Sequence, residues 1–213
     1  MFDPINIDDS ETKLRWNITP LFPKPISISF IDEEACIKLQ KLADNTEWFR
    51  DTPDSGSVNN GASSDKYVLN KDEDLKNYIL NYCYSGLGML GFNTELQITT
   101  SWFTITEKDG QCRQHKHTNS WWSSVIYFDE YDDTSSAIHF TQEMQQIWVE
   151  PQQHNYMNSS AFNVHPAKGM ILLFPSQVFH QILHGKNDKL RRSLALNVMP
   201  KGLQGSSDSM FHY

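Results

Sequence analysis

The chain has 213 residues, 38% of them hydrophobic, with 26 acidic against 18 basic side chains and a formal net charge of −8. That size suits one folded domain, and the acidic balance argues against a protein that grips a nucleic-acid backbone through clustered Lys and Arg. No apolar stretch approaches the ~20 residues needed to cross a bilayer, so no membrane partner is expected.

Met1 to Ser10 is acidic and lacks a basic start followed by an apolar run, so no secretory signal is expected. Cys36, Cys83 and Cys112 are odd in number and widely spaced, which suits free thiols in a cytoplasmic setting. A Pro-rich start (Pro20, Pro23, Pro25) leads into the β-branched run Ile26 to Ile31. Asp32 then caps a helix expected to run to about Trp48, with Glu33 and Glu34 in its first turn and Ala35, Ile37, Leu39 and Leu42 on its apolar side. Asp51 to Lys66 is rich in Gly, Ser, Asn and Asp and reads as a surface loop, either a connector or a lid. A second helix over about Asp72 to Leu90 carries Leu75, Ile79, Tyr82 and Leu87 along one side, with Gly91 placed for its C-terminal cap.

From there the pattern changes to period two. Leu96 to Thr106 reads as a strand ended by the turn signal Lys108-Asp109-Gly110. Further strands are expected at Ser123 to Phe128, Ala137 to Phe140, Ile147 to Glu150, Met170 to Phe174, Val178 to Leu183 and Ser193 to Val198, enough for two facing sheets. Helices first and strands after them predict an α+β, mainly β, fold. It is divided into supporting segments over 1–92, a core over 93–200 and a short tail over 201–213.

His115 and His117 stand at i and i+2, so on a strand both imidazoles project to one face and can grip one transition-metal ion. His180, after the apolar run that ends at Pro175, is the candidate third ligand. Arg191 and Ser193 share a strand face, and a guanidinium fork beside a hydroxyl suits a carboxylate. His139, His154, His165, His184 and His212 have no partner at ligand spacing.

These pieces, in this order, resemble the 2-oxoglutarate and iron(II)-dependent oxygenase superfamily, in particular its small members with His-x-His-x-x-Ser in place of His-x-Asp. The residues that carry the resemblance are Leu21 to Pro25, Trp102 to Gly110, His115 to Tyr127, Gly169 to Pro175, His180, and Arg191-Arg192-Ser193 with Asn197. The resemblance implies a double-stranded β-helix (jelly-roll) core braced by the N-terminal helices. It implies iron(II) on His115, His117 and His180, with His117 either a direct ligand or standing behind a water. It also implies 2-oxoglutarate held by Arg191, Ser193 and Tyr127, molecular oxygen as co-reactant, and hydroxylation of a small-molecule or peptide substrate with release of succinate and CO2. The wider superfamily has an acidic residue at the place of His117; Asp129 and Glu130 are candidates for that carboxylate, though neither has a spacing that argues for it.

Trp102, Trp121, Trp122 and Phe179 are candidates for the cavity lining, and the loops 51–66 and 131–136 for selectivity. Two rivals stand beside this reading. A cupin would need a Glu near Trp121 and Trp122 and leaves Arg191 unexplained; the other is a binding protein on the same barrel without turnover. The substrate and the oligomeric state are not encoded in any motif of the chain.

Overall fold

The structure, a computed structural model, describes residues 5–9, 14–18, 22–50, 58–142, 149–155 and 157–213. Strands β1 (Ile5–Asp9) and β2 (Leu14–Ile18) pair as a hairpin, and β3 (Ser27–Phe30) follows in the expected β-branched run. Helix α1 (Glu33–Asp44) begins where the Asp32 carboxylate accepts from the Ala35 N–H at 2.8 Å. Its buried side is Ala35, Cys36, Leu39 and Ala43, while Ile37 faces solvent. The helix stops four residues short of Trp48, where Asn45 caps it and Thr46 turns its hydroxyl back to the Leu42 carbonyl.

Strand β4 (Phe49–Arg50) pairs with β5 (Val58–Ser63), which lies inside the segment expected to be a loop. Small polar residues hide a strand here because backbone pairing with a long neighbour, rather than β-propensity, holds it in place. Residues 51–57, the rest of the proposed lid, lie outside the described residues, as do Leu21 of the opening motif and Ile147 and Trp148 of an expected strand; Val149 and Glu150 are not in a strand. Helix α2 (Glu73–Met89) is capped by Asp72, which accepts from the Leu75 N–H at 3.0 Å. It buries Leu75, Ile79, Cys83 and Leu87 at four-residue spacing and ends at Gly91, whose φ of 86° only glycine adopts readily.

Strand β6 (Leu96–His115) runs straight through the expected turn. Asp109, at φ 58°, makes a bulge there, and Gly110 fits because a Cβ would stand 2.5 Å from the Asn60 carbonyl oxygen. The remaining strands are β7 (Trp122–Ile126), β8 (Ile138–Thr141), β9 (Ala161–Val164), β10 (Met170–Pro175), β11 (Phe179–Ile182), β12 (Arg191–Pro200), β13 (Leu203–Gln204) and β14 (Phe211–His212). β9 went unforeseen because its sequence is short and mostly exposed.

The main sheet is antiparallel, in the order β3-β10-β7-β12-β6-β11-β8-β9, with β5 and β4 alongside β6. Thr104 and Thr106 of β6 pair with both β12 and β5, and Cys112 pairs with both β11 and β5, so β12 and then β11 follow one another along a single edge of β6. The bulge between them turns the second half of β6 and curls the sheet over itself. Period two then divides the side chains between two cores. Trp122, Ile126, Ile171, Leu173, Leu194 and Leu196 join Leu39, Leu75, Ile79 and Leu87 of the helices, so both helices pack on the sheet's outer face. Val125, Tyr127, Leu172 and Phe174 turn inward to meet Ile138, Phe140 and Val164 from the other side of the curl.

Candidate metal centre

Curling brings β11 beside the end of β6 so that His180 is the direct cross-strand partner of His115. Their ring centroids are 4.3 Å apart. His117 follows just past the strand, held by its N–H to the Ser176 carbonyl (2.9 Å) and by the Gln177 amide, which donates to its own carbonyl (3.0 Å). Its ring is 5.2 Å from each of the other two. One ligand nitrogen from each of the three lies within 4.8 Å of the others, a spread that small side-chain rotations close around one ion.

The rings are prepared for this. His115 Nδ1 faces the Arg113 carbonyl at 2.8 Å and His180 Nδ1 faces the Val178 carbonyl at 3.0 Å. A carbonyl only accepts, so each Nδ1 carries the proton and each Nε2 keeps a lone pair for a metal. Burial, and then the nearby His115 ring, push His117 down to about 4 and His180 down to about 3, so both are neutral at pH 7. Three imidazoles fit a divalent transition ion and give no grip to calcium or magnesium.

None of the other histidines joins them: His139 pairs with Asn163, His154 with Glu150, and His184 lies 3.9 Å from Asp109. His165 and His212 are exposed. Asp129 is engaged by Arg192 (2.7 and 2.9 Å) and Glu130 by Lys168 (2.9 Å), so neither supplies the carboxylate of a two-histidine, one-acid site. Where a cupin would place its Glu, Trp121 packs edge-on to Phe92 at 5.0 Å.

A cavity of about 390 Å³ opens beside the histidines. Thr100, Trp102, Thr104 and Thr106 from β6 line it beside their neighbours Ser193, Ala195 and Asn197 on β12, with Phe174, Ile138 and Ile182 closing the sides. Only Trp102 of the four expected aromatic residues is there. Trp122 is on the helix-facing side of β7, Trp121 is against Phe92, and Phe179 points outward because its neighbour His180 points in. Phe174 was missed; it belongs to a continuous apolar run whose inward phase the sequence does not mark.

The cavity stops at Thr106 and Ser193, and Arg191, the ladder partner of Thr106, is buried behind them at 1% exposure. Its Nε donates to the Ser136 carbonyl (2.8 Å) and one Nη to the Tyr127 hydroxyl (3.1 Å). The other, Nη1, is fully buried and has no hydrogen-bond partner among the described residues. Tyr127 accepts from the arginine, which leaves its own O–H to donate, and burial raises its pKa so the proton stays on. An orphaned guanidinium nitrogen beside a phenol is a fit for a carboxylate. Ser193 is hydrogen-bonded to Thr104 at 2.9 Å on the cavity wall. The 131–136 loop holds this corner together: Tyr131 donates to the Arg192 carbonyl and Ser136 carries Arg191.

Residues 100–197, which hold all three histidines and Arg191, match the family model described as "Putative 2OG-Fe(II) oxygenase". Over that stretch, a little under half of its length, the chain is similar to 2OG-Fe(II) oxygenases. No curated protein matches it by sequence. Solved oxygenase structures share its fold. A prolyl-4-hydroxylase from Pseudomonas putida matches at a TM-score of 0.53 with 14% identity, covering 84% of this chain and 94% of that one. The epimerase SnoN, solved with Fe3+, alpha-ketoglutarate and nogalamycin RO, reaches 0.62 at 9% identity, covering 84% and 80%. HygX from Streptomyces hygroscopicus, with nickel and 2-oxoglutarate bound, reaches 0.58 at 9% identity, covering 83% of each chain. Among the described residues no helix is long and apolar enough to cross a membrane.

Proposed function

We propose that this chain is a hydroxylase built on a double-stranded β-helix, with His115, His117 and His180 as the iron(II) ligands and Arg191, Tyr127 and Ser193 as the seat of 2-oxoglutarate. The observation that carries the reading is the pairing of a three-imidazole cluster with a buried guanidinium nitrogen that has no hydrogen-bond partner among the described residues. When bound, iron(II) and 2-oxoglutarate supply an oxidative decarboxylation to succinate and CO2, coupled to insertion of oxygen into a C–H bond. The protein's residues do the positioning. Each histidine offers a ring nitrogen, and the carbonyls of Arg113 and Val178 keep two of them in the right tautomer. Arg191 Nη1 and the Tyr127 O–H donate to the distal carboxylate in a site where water does not compete. Phe174, Ile138 and Ile182 keep the reacting face dry.

Anaerobic titration of the purified protein with iron(II) and 2-oxoglutarate tests this. A visible charge-transfer band is expected for the native protein and is lost in His180→Ala, whereas His117→Asp, which restores a two-histidine, one-carboxylate face, keeps it. No band in the native protein, or an unchanged band in His180→Ala, refutes the site. Succinate release on admitting oxygen separates an enzyme from a binding protein.

A further inference from the structure

His115 and His180 are cross-strand partners, so the sheet ladder itself sets the distance between them. His117 has no such support. β6 ends at His115, and the chain bends just past His117 at Asn119, whose φ is 56°. The carbonyls of Arg113 and Val178 each fix one imidazole, but among the described residues no hydrogen bond reaches the ring of His117, which has only ring neighbours, Trp102 among them at 5.6 Å. Its backbone must therefore do the placing.

Both backbone contacts of His117 go to one tight turn, Pro175 to Val178, which the Val178 N–H closes by donating to the Pro175 carbonyl at 2.9 Å. The Ser176 carbonyl accepts from the His117 N–H, and the Gln177 side-chain amide donates to the His117 carbonyl. The same turn ends in the Val178 carbonyl that orients the His180 ring. Two of the three histidines thus hang on one turn, and where that turn sits decides how far apart their nitrogens stand. Ser176, at 0% exposure, fixes its place. Its N–H donates to the Trp121 carbonyl at 3.1 Å, and its hydroxyl donates to Ser120 at 2.9 Å and lies 2.8 Å from the Ser123 hydroxyl. Ser120 gives its own proton to the Trp122 carbonyl and Ser123 gives its own to Asn197 Oδ1, so the proton of Ser176 is the one that joins them. The backbone bond already closes the turn, which needs no side chain at that position. Both hydroxyl contacts instead tie it to the segment that follows His117.

We propose that Ser176 is a positioning residue of the metal centre, its hydroxyl locking the Pro175–Val178 turn where His117 reaches the ion held by His115 and His180. The inference rests on the ligand set proposed above, His117 included.

Cobalt(II) titration of the metal-free protein, followed by its visible absorption, tests this without turnover. Ser176→Ala binds cobalt about tenfold more weakly or worse, a loss usual for residues that hold a ligand in place, and its spectrum moves toward that of His117→Ala. Gln177→Ala, at an exposed position that leaves the fold intact, changes both readings in the same direction. Ile79→Val, in the helix-facing core, lowers the Tm but leaves both readings native, which separates positioning from loss of stability. A folded Ser176→Ala with native affinity and spectrum overturns the proposal, as does a spectrum that moves equally in Ile79→Val. Should Ser176→Ala not fold, a native result in Gln177→Ala overturns it. A native spectrum in His117→Ala brings down the ligand set and this inference with it, whereas a changed His117→Ala beside a native Ser176→Ala refutes the role of Ser176 alone.

Discussion

Arg191→Met separates a binding arginine from a structural one. In the free protein the guanidinium is buried at 1% exposure and, among the described residues, makes two hydrogen bonds, to Ser136 and Tyr127, with Nη1 unpaired. Deleting it loses those two bonds, about 1 kcal/mol net each. It also removes a buried charge whose desolvation costs several kcal/mol when no anion compensates it. Methionine fills a similar volume with no charge. The terms oppose one another, so the metal-free variant should denature within about 2 kcal/mol of the native protein, or above it, a shift of no more than about 4–8 °C in Tm. Its affinity for 2-oxoglutarate should fall by about 3–4 kcal/mol, some hundredfold or more, because a charge-assisted bond to a carboxylate in a dry site has no substitute. Thermal denaturation of the metal-free protein and anaerobic 2-oxoglutarate titration read the two halves separately. A variant that is strongly destabilised yet binds 2-oxoglutarate normally would refute the reasoning.

Two further outcomes follow from the same geometry. His117 and His180 titrate at about 4 and about 3 in the folded, metal-free protein, below the ordinary 6.5, so the unfolded chain takes up protons first. Stability from this source is complete above about pH 6.5 and is lost as pH falls toward 3–4; urea midpoints at pH 7 and pH 5 should differ, and His180→Gln should shrink the difference. Gly110→Ala forces a Cβ to within 2.5 Å of the Asn60 carbonyl and 2.7 Å of the Thr106 methyl. It should cost about 1–3 kcal/mol and, by disturbing the bulge that aims His115 at His180, weaken metal uptake as measured by bound-metal stoichiometry; an unchanged Tm would remove the bulge from the account.

Local chemistry made much of this protein readable from the chain alone. Asp32 and Asp72 announce their helices because an N-cap carboxylate needs only the N–H three residues on. The His115/His117 pair and the Arg191/Ser193 face follow from period two. What lies across the sheet is a different matter. β5 is a strand because β6 is beside it, and β6 passes through Lys108-Asp109-Gly110 because pairing on both its edges outweighs a local turn preference. The inward phase of Phe174, the outward phase of Phe179 and the placement of Trp121 and Trp122 depend on which neighbour each strand meets. Sequence by itself determined which residues can ligate, cap and pair, since those are properties of one side chain and its near neighbours. Only the tertiary structure decided that His180 stands opposite His115 and that Arg191 keeps one nitrogen unsatisfied among the described residues, because each depends on contacts between segments far apart in the chain.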